Sequence, residues 1–388
     1  MTSSIPYGRQ WIQEDDIEAV VKVLRSDWLT TGPVVEQFEA ALAEKLGASY
    51  AVVVSSGTAA LHLACLAAGV GPADVVVSSP NTFAASTNCA LYCGARPAFV
   101  DIDPRTYNLA PDSLLSFLSR RGTDERVQAV IPVHFAGQPC DMERISLAAR
   151  EAHLVIIEDA CHALGARWQD SHGACYGVGS CSHSDMAVLS FHPVKHITTG
   201  EGGAIMTNRP DLYAKLKQLR NHGISKDISS NNGNGPWYYE LRDLGFNYRL
   251  TDLQCALGIS QLPKLDGWVE RRRQIAATYD QFLGHLENVL IPYQAKNAWS
   301  SYHLYVIQVP SRRRVFETLR ARGIGVQVHY LPVHLHPVYR DRFGFSSGDF
   351  PAAENYYEHA ISLPIFPRMS DADVLQVVHE VKAAVESR

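Results

Sequence analysis

The first half of the chain repeats one pattern, a short apolar run that ends in polar or small residues and is followed by a helical stretch. Five such runs occur, at residues 50–54, 75–80, 98–103, 127–137 and 154–166. Alternating buried strands and helices are typical of a mainly parallel sheet that is covered on both faces. Ligands of such sheets bind where the strands end. The pattern therefore predicts an α/β fold with a site near the carboxyl ends of these strands.

The length of 388 residues exceeds what one hydrophobic core usually holds, so we expect two domains. We predict a large domain of residues 1–265, with an N-terminal arm at 1–25, and a small domain of residues 266–388. The polar stretch 229–237 predicts a surface loop. The small domain is predicted to be α+β, from apolar runs at 302–309 and 326–333 and helical patterns at 312–322 and 372–387.

The composition favours a small-molecule partner. The formal net charge is -5, with both signs interspersed, so there is no basic stripe for nucleic acid and no polybasic patch for a membrane. The eight cysteines form no CxxC pair and no compact disulfide or zinc spacing, which predicts reduced thiols. No secretory leader pattern opens the sequence, and no eighteen consecutive apolar residues occur. We therefore expect a cytoplasmic protein.

Two further patterns point to other chemistries. Residues 344–348 match the G-x-S-x-G motif of serine hydrolases, but the surrounding charged segment has no apolar strand, so we interpret it as a surface loop. His334 and His336 lie near His329, but no acidic or cysteine residue in the same stretch completes a metal site. We predict no metal and interpret these histidines as sugar contacts or loop packing.

One lysine occupies an unusual setting. The β-prone run 186–191 leads into Lys195, and the sequence TTGEGG at 198–203 follows. This predicts that the amine lies on an irregular turn between two strands. Burial there would lower its pKa, as a lysine needs in order to form a Schiff base with an aldehyde. From this stretch alone, a surface lysine in a glycine-rich turn is the alternative.

The first strand is joined to its helix by small residues. Ser55, Ser56, Gly57 and Thr58 connect the run 50–54 to an apolar helical stretch. Backbone N–H groups and the helix dipole favour a phosphate at such a point, and the hydroxyls of Ser56 and Thr58 are available to bind it. Many strand–helix turns use these residues structurally, so the pattern alone leaves both uses open.

Three other residues have a binding role and a structural alternative. Asp159 ends the run 154–157, where a buried carboxylate either caps the next helix or meets a cation. Phe83 follows an earlier strand and is either a core aromatic or a ring stacked on a planar ligand. Trp28 lies in a loop and either contacts a ligand or packs against the domain.

Together these residues complement one cofactor. Lys195 suits an aldehyde, Asp159 a protonated ring nitrogen and Phe83 a ring face, while residues 56–58 and Ser190 suit a phosphate. These are the parts of pyridoxal 5'-phosphate (PLP). Its protonated ring withdraws electrons from the carbanion that forms when a substrate loses its α-proton.

The chain also resembles the DegT/DnrJ/EryC1/StrS sugar aminotransferases, which have the aspartate aminotransferase-like (PLP fold type I) architecture. The resemblance covers nearly the whole chain. The motifs that carry it are SSGTAALHLA (55–64), SPNTFAAS (79–86), VHFAGQP (133–139), IIEDACHALGA (156–166), SFHPVKHITTGEGGAIMTN (190–208) and LGFNYRLTDLQCALG (244–258).

The resemblance implies a role for each candidate residue. Lys195 would form the Schiff base with PLP and carry a proton between the cofactor and the substrate carbon, and Asp159 would pair with the pyridine nitrogen. Phe83 would stack on the ring. His162 would lie beside the phenolic oxygen, where many relatives have glutamine. The phosphate would be held by Gly57, Thr58 and Ser190, and by Asn247 from the partner subunit of a homodimer.

Within the family, four segments are most similar to the branch that acts in pseudaminic acid biosynthesis: IPYGRQWI (5–12), SDWLTTGP (26–33), SFHPVKHITTGEGG (190–203) and VHYLPVHLHPVYR (328–340). This implies transfer of an amino group from L-glutamate to the C4 ketone of a UDP-linked 4-keto-6-deoxy-N-acetylhexosamine. The implied substrate contacts are Tyr7, Trp28, Leu29, Thr30, His329, Tyr330 and Leu331. His196 follows the lysine where near relatives often have proline.

Three alternatives stay open at this point. The substrate of an aminotransferase of this family could be another dTDP-, GDP- or UDP-linked keto sugar. A PLP-dependent sugar dehydratase has the same fold, but such relatives carry histidine at the position of Lys195. A non-catalytic protein of the same fold would bind without reacting with glutamate.

Overall fold

A computed structural model describes residues 4–120, 122, 126–225, 235 and 237–386. Residues 1–3 of the predicted arm lie outside the described residues, as does most of the loop predicted at 229–237. No helix in the described ranges is both long enough and apolar enough to cross a membrane.

The strands of the described chain are β1 (Tyr50–Val54), β2 (Asp74–Ser78), β3 (Arg96–Phe99), β4 (Arg126–Ile131), β5 (Val155–Asp159), β6 (Arg167–Gln169), β7 (Cys175–Gly177), β8 (Met186–Ser190), β9 (Gly203–Thr207), β10 (Ile224–Ser225), β11 (Glu240–Leu241), β12 (Ala298–Trp299), β13 (Tyr305–Gln308) and β14 (Ala360–Leu363). Seven of them form the central sheet in the order β1-β9-β8-β5-β4-β2-β3. Adjacent strands from β8 to β3 in this order are parallel, and only β9 runs antiparallel to the strands beside it, β1 and β8. The predicted mainly parallel α/β sheet is confirmed.

The helices are α1 (Glu14–Leu24), α2 (Pro33–Leu46), α3 (Gly57–Ala67), α4 (Ala85–Tyr92), α5 (Pro111–Arg120), α6 (Met142–Glu151), α7 (Pro210–Arg220), α8 (Asp252–Gln261), α9 (Leu265–Leu283), α10 (Arg312–Ala321), α11 (Pro337–Phe343), α12 (Pro351–His359) and α13 (Asp371–Glu386). Local signals fix several ends. Pro33 opens α2, Gly47 ends it with a φ of 71°, and Thr251 and Gln254 form a capping box on α8.

Helices cover both faces of the central sheet. Side chains of α2, α5 and α6 form one hydrophobic core with alternate strand residues such as Val53. Side chains of α3, α4 and α7 form the other core with the intervening residues, such as Val52. Because successive strand residues point to opposite faces, both cores draw on the same apolar runs. This burial explains why the runs show no polar alternation.

The C-terminal part has its own hydrophobic core, made by α10, α13, the second half of α9 and the antiparallel pair β13–β14. The strand expected at 326–333 is largely absent, since Gln327 makes only an isolated bridge to Ser362, and β14 supplies the second strand instead. Leu265 of α9 packs in the core of the large sheet, whereas Tyr279 and Leu283 pack in the C-terminal core. The domain boundary at residues 265 and 266 therefore stays a prediction.

Candidate active site

The N-terminus of α3 forms one wall of the candidate site. Ser56 caps this helix, because its Oγ accepts a hydrogen bond from the N–H of Ala59 at 3.1 Å. Gly57 is buried against Ser190 at the end of β8, where an added Cβ would lie 3.0 Å from the Cβ of Ser190. A helix N-terminus with free N–H groups and adjacent hydroxyls is suited to a phosphate. Thr58, half-buried in the first turn, adds a third hydroxyl.

Asp159 ends β5 at the centre of the sheet and is only 5% exposed. Its Oδ2 accepts a hydrogen bond from Ser86 Oγ at 2.5 Å, and its Oδ1 accepts one from the N–H of Cys161 at 3.1 Å. It does not cap a helix, since residues 160–166 form turns. Among the described residues, no lysine or arginine forms an ion pair with this carboxylate. Asp159 is therefore a fixed, buried carboxylate that is suited to a cationic ligand group.

Lys195 lies in the connection between β8 and β9, as the sequence predicted, and is half-buried there. Its backbone N–H donates to the carbonyl of His192 at 2.9 Å. Burial lowers the pKa of Lys195 below its ordinary value, although nearby Asp159 acts in the opposite sense. Desolvation disfavours the ammonium form, so the neutral, nucleophilic amine is more accessible than on an exposed lysine.

A row of buried histidines lies beside Lys195. The His162 and His303 rings are 4.4 Å apart, and the His303 and His196 rings are 5.7 Å apart, between centroids. His162 Nε2 lies 3.3 Å from the hydroxyl of Tyr330. Burial, reinforced by the nearby charge of Lys195, holds the pKa of each of the three imidazoles well below its ordinary value. They are therefore neutral at physiological pH.

The predicted substrate residues of the arm and of the segment 329–331 lie together. The rings of Tyr7 and His329 are 5.7 Å apart, and His329 Nδ1 lies 2.7 Å from Ser362 Oγ. Burial is the main cause that lowers the pKa of His329 to about 4. Tyr330 follows directly, joined to His329 by a cis peptide bond, and Leu331 is half-buried. The arm thus reaches the same side of the site as the His329 segment.

The other predicted residues lie on an exposed rim. Phe83 is 58% exposed with its ring 6.0 Å from that of Tyr330, so it is not a core aromatic. Trp28 is 55% exposed, and Leu29 and Thr30 are exposed beside it. Asn247 is also exposed. Within the described parts of the chain, no hydrogen bond or ring contact joins residues 28–30 or Asn247 to Lys195 or Asp159.

This arrangement fits PLP. Asp159 offers a buried carboxylate whose two hydrogen bonds come from neutral donors, which leaves it free to pair with a protonated ring nitrogen. Gly57 leaves a space beside Ser190 and Cys161. A side chain at this position would narrow that space, because an added Cβ would lie 3.3 Å from Cys161 Sγ. His162 Nδ1 is buried without a hydrogen bond in the described structure, so a polar ligand atom would satisfy it.

Sequence reasoning missed Ser86, Ser301 and His303. Ser86 lies inside the motif 79–86, but nothing in that motif indicates a bond to a residue 73 positions later. Ser301 Oγ donates to the carbonyl of His162 at 3.2 Å, and the carbonyl of Ser301 lies 3.1 Å from His196 Nε2. The polar residues of the segment 300–303 directly precede the buried strand β13, and this feature of the sequence could have indicated that they belong to the site.

The two competing motifs have structural explanations. Residues 344–348 form an exposed turn after α11, with no strand before them, and Ser346 Oγ lies 3.3 Å from Asp349 Oδ1. His334 is buried and lies 3.0 Å from a carboxylate oxygen of Glu354, an acidic partner that sequence proximity did not indicate. No cluster of three His, Cys, Asp or Glu side chains suited to a metal occurs among the described residues. All eight cysteines are free.

Comparison with known proteins agrees with this geometry. The DegT/DnrJ/EryC1/StrS aminotransferase family matches residues 10–382. Spore coat polysaccharide biosynthesis protein SpsC of Bacillus subtilis is 39% identical, with 98% of this chain and 97% of that protein covered. The UDP-4-amino-4,6-dideoxy-N-acetyl-beta-L-altrosamine transaminase of Campylobacter jejuni is 38% identical, with 95% and 94% covered.

A solved structure extends this similarity to three dimensions. Helicobacter pylori PseC, an aminotransferase involved in the biosynthesis of pseudoaminic acid, superimposes with a TM-score of 0.90 at 30% identity over 100% of both chains. The family match spans most of the chain, and its members depend on PLP. The chain is therefore a PLP-dependent sugar aminotransferase that belongs to the DegT/DnrJ/EryC1/StrS family.

Proposed function

We propose that the protein transfers an amino group from L-glutamate to the C4 ketone of a UDP-linked 4-keto-6-deoxy-N-acetylhexosamine in pseudaminic acid biosynthesis. The chemistry is supported by one feature of the site: it contains both a half-buried lysine of lowered pKa, Lys195, and a buried carboxylate, that of Asp159, which has no cationic partner in the described chain. PLP, when bound, supplies an aldehyde carbon for the amine and a ring that withdraws electrons.

Lys195 carries the proton transfers. A lysine of lowered pKa holds a neutral amine at physiological pH more readily than an exposed one. That amine takes the proton from the amino-bearing carbon of glutamate and acts as the acid in the return direction. In the half-reaction with the sugar, the amine of Lys195 makes the same proton transfers in the reverse order. Both halves of the reaction therefore use one acid–base residue.

Asp159 and the residues around it would hold the cofactor. Asp159 would pair with the ring nitrogen, and its own orientation is fixed by Ser86 and by the N–H of Cys161. Phe83 would cover one face of the ring. The phosphate would be held by the N-terminus of α3 and Ser190, where Ser56, Gly57 and Thr58 lie.

We propose a homodimer with shared sites, in which Asn247 of one chain completes the phosphate site of the other. Asn247 is exposed, and the preceding residues 237–244 expose several large apolar side chains, including Leu244. An apolar patch of this kind on a globular protein is typical of an interaction surface. A cytoplasmic location stays a prediction.

The proposed sugar is supported by the altrosamine transaminase of C. jejuni, which is similar over 95% of this chain. Tyr7, His329 and Tyr330 lie together in the structure, as that substrate assignment expects. The similarity to SpsC is equally high, so the second candidate is an aminotransferase for a different nucleotide-linked keto sugar. A PLP-dependent dehydratase is disfavoured because Lys195 is present as the acid–base residue.

The test is the visible absorbance of the PLP-loaded protein. L-glutamate should bleach the band of the lysine-bound cofactor, and the UDP-linked 4-keto-N-acetyl sugar should restore it. A panel of dTDP-, GDP- and other UDP-linked 4-keto sugars serves as the control. Restoration by a different sugar alone would replace the proposed substrate, and the absence of bleaching by glutamate would contradict the proposed amino donor.

A further inference from the structure

Glu158 precedes Asp159 in β5 and is as deeply buried, at 4% exposed, but the proposed chemistry gives it no role. Successive residues of a strand point to opposite faces of the sheet, so Glu158 lies on the face opposite to Asp159. A buried carboxyl group is costly unless hydrogen bonds satisfy it. Both oxygens of Glu158 have a partner, because Ser184 Oγ donates to Oε1 and His134 Nε2 lies 2.7 Å from Oε2. These partners come from two other segments, one before β8 and one after β4.

The proton on the ring of His134 can be placed from its two contacts. Nδ1 accepts a hydrogen bond from the N–H of Cys140 at 2.9 Å, and a backbone N–H can only donate. Nδ1 therefore carries no proton, so the ring is neutral and its proton lies on Nε2, which faces Glu158. His134 is completely buried, so water does not compete for either contact. The ring is thus a fixed donor to Glu158.

The backbone of His134 is bonded to Asp159 itself. Its N–H donates to the carbonyl of Asp159 at 3.1 Å, and the N–H of Asp159 donates to the carbonyl of Pro132 at 2.9 Å. Between these two bonds, Val133 and Asp159 form a parallel bridge. The chain then leaves the sheet in the turn Phe135–Gly137. His134 therefore ties this segment to the end of β5 through both its backbone and its side chain.

Asp159 is held from two directions. Ser86 and the N–H of Cys161 hold its carboxylate, and the bonds to residues 132–134 hold the backbone from which the carboxylate extends. The ring of His134 keeps that segment against β5, because it is bonded to the residue that precedes Asp159 in the strand. Loss of the ring's bond would allow the segment, and with it the peptide at Asp159, to move. Functional groups in enzyme sites have to be held to within about 0.5 Å.

We propose that His134, Glu158 and Ser184 are positioning residues for the aminotransferase reaction. Their hydrogen bonds, which we call the β5 brace, fix the backbone at Asp159 so that its carboxylate meets the ring nitrogen of PLP. The inference rests on the proposed role of Asp159. The brace acts through hydrogen-bond geometry and not through the charge of Glu158. A displacement of about 1 Å at such a position can lower a rate by about 10²-fold.

Three variants separate the hydrogen bonds of the brace from charge. His134→Asn keeps an oxygen acceptor for the N–H of Cys140 but removes the donor to Glu158, and Ser184→Ala removes the second donor. In Glu158→Gln the amide oxygen still accepts from His134, and the amide NH₂ donates to the hydroxyl of Ser184, which rotates to accept. We expect kcat with L-glutamate to fall about 10- to 100-fold in His134→Asn, with little change in KM. It should fall less in Ser184→Ala and stay near the wild-type value in Glu158→Gln.

A second measurement needs no turnover. PLP labelled with ¹⁵N in its ring is bound to each variant, and the nitrogen chemical shift shows whether the ring nitrogen is protonated at neutral pH. We expect a protonated nitrogen in the wild type and in Glu158→Gln, and a loss of protonation in His134→Asn. The matched control is Tyr279→Phe, which removes a buried hydrogen bond of 2.7 Å to the carbonyl of Pro364 in the C-terminal core. This variant should lower the melting temperature but keep both the rate and the protonated nitrogen.

Wild-type rates and ring protonation in both His134→Asn and Ser184→Ala would overturn the brace, as would a loss in Glu158→Gln equal to that in His134→Asn. A ring nitrogen that stays protonated in Asp159→Asn would instead contradict the proposed role of Asp159. The wild type provides a further check that depends on no variant. In the PLP-free protein labelled with ¹⁵N-histidine, His134 should be neutral with its proton on Nε2, and a proton on Nδ1 would refute the contact with Cys140 on which the brace depends.

Discussion

Two parts of the candidate site differ in how far a single chain encloses them. The floor consists of Lys195, Asp159, residues 55–58 and the buried histidines, and the rim consists of Phe83, residues 28–30 and Asn247. On the floor, Asp159 is 5% exposed and held by two hydrogen bonds. On the rim, the side chain of Phe83 is 58% exposed and Asn247 is also exposed to solvent. The floor is therefore organised before any ligand arrives, which is how enzymes place electrostatic groups in advance. The rim is exposed, as we expect if the substrate and the second chain of the proposed homodimer cover it.

Lys195→Ala should have the largest effect on the floor. Loss of the acid–base and nucleophilic amine should lower turnover by about 10⁴-fold or more and remove the visible band of the lysine-bound cofactor. Stopped-flow absorbance with L-glutamate measures both. Lys45→Ala, which breaks a surface ion pair of 2.7 Å with Asp266, is the control and should keep full activity. Retained turnover in Lys195→Ala would refute the assigned role.

Asp159→Asn should come next. The amide keeps the shape and can still accept from Ser86, but it carries no negative charge to keep a ring nitrogen protonated. We expect PLP to stay bound while proton removal slows by about 10²- to 10⁴-fold. The primary isotope effect with α-deuterated glutamate reports the step that slows. A rate equal to that of the wild type would exclude Asp159 from this role.

Acid should lower the stability of the protein through the buried histidines near Lys195. In the folded protein the pKa values of His162, His196 and His303 lie well below the ordinary value, and that of His329 is about 4. The unfolded chain binds these protons near pH 6.5, so the stability they contribute is complete above that pH and is lost as the pH falls toward 4. The melting temperature should drop by several degrees between these limits. His303→Gln should reduce that drop, and an identical drop would show that other groups dominate.

Ser86→Ala should produce a smaller loss. It removes one hydrogen bond to a charged group, worth about 1.5–3 kcal/mol, which corresponds to a rate loss of at most about 10- to 150-fold. The change should appear in kcat with L-glutamate, with little change in PLP affinity. Ser119→Ala is the matched control, because among the described residues the hydroxyl of Ser119 bonds only to the carbonyl of Ser116. Equal activity of the two variants would show that the N–H of Cys161 alone orients Asp159.

Phe83→Ala probes the rim and should have the smallest effect. Ring stacking is worth about 0.5–1.5 kcal/mol, so PLP should bind about two- to tenfold more weakly. Fluorescence titration of the PLP-free protein measures this directly. Phe83→Tyr should retain the affinity. A loss as large as that in Asp159→Asn would mean that the rim is as organised as the floor, contrary to the comparison above.

Much of the floor could be predicted because its signals are local. Lys195 and Asp159 each lie next to an apolar strand, so the strand-end rule places both near the ligand. Residues 55–58 carry, in one short segment, the cap and small residues of the turn that we propose to bind the phosphate. For Asp159, the sequence left two interpretations open, a helix cap or a partner for a cation. The structure excludes the helix cap, because residues 160–166 form turns and no helix.

The residues that support the floor could not be predicted, because their partners are distant along the chain. Ser86 bonds a residue 73 positions away, and His196 bonds the carbonyl of a residue 105 positions away. The strand predicted at 326–333 was wrong for the same reason, because the choice of a strand's partner also depends on a distant segment of the chain. Val326 and Val333 at its two ends are buried, as residues of a strand would be, but β13 pairs with β14 instead.

The sequence by itself determined the fold class and the cofactor and predicted Lys195 and Asp159 as the two central residues, because strand periodicity and strand-end chemistry are local properties. Only the tertiary structure decided that Ser86 orients Asp159 and that His303, from the segment before β13, lies against His162 and His196. Such contacts depend on how separate elements pack, and packing leaves no periodic signal in the sequence. Phe83 belongs to the same class, since only the packed chain shows that its ring faces outward beside Tyr330.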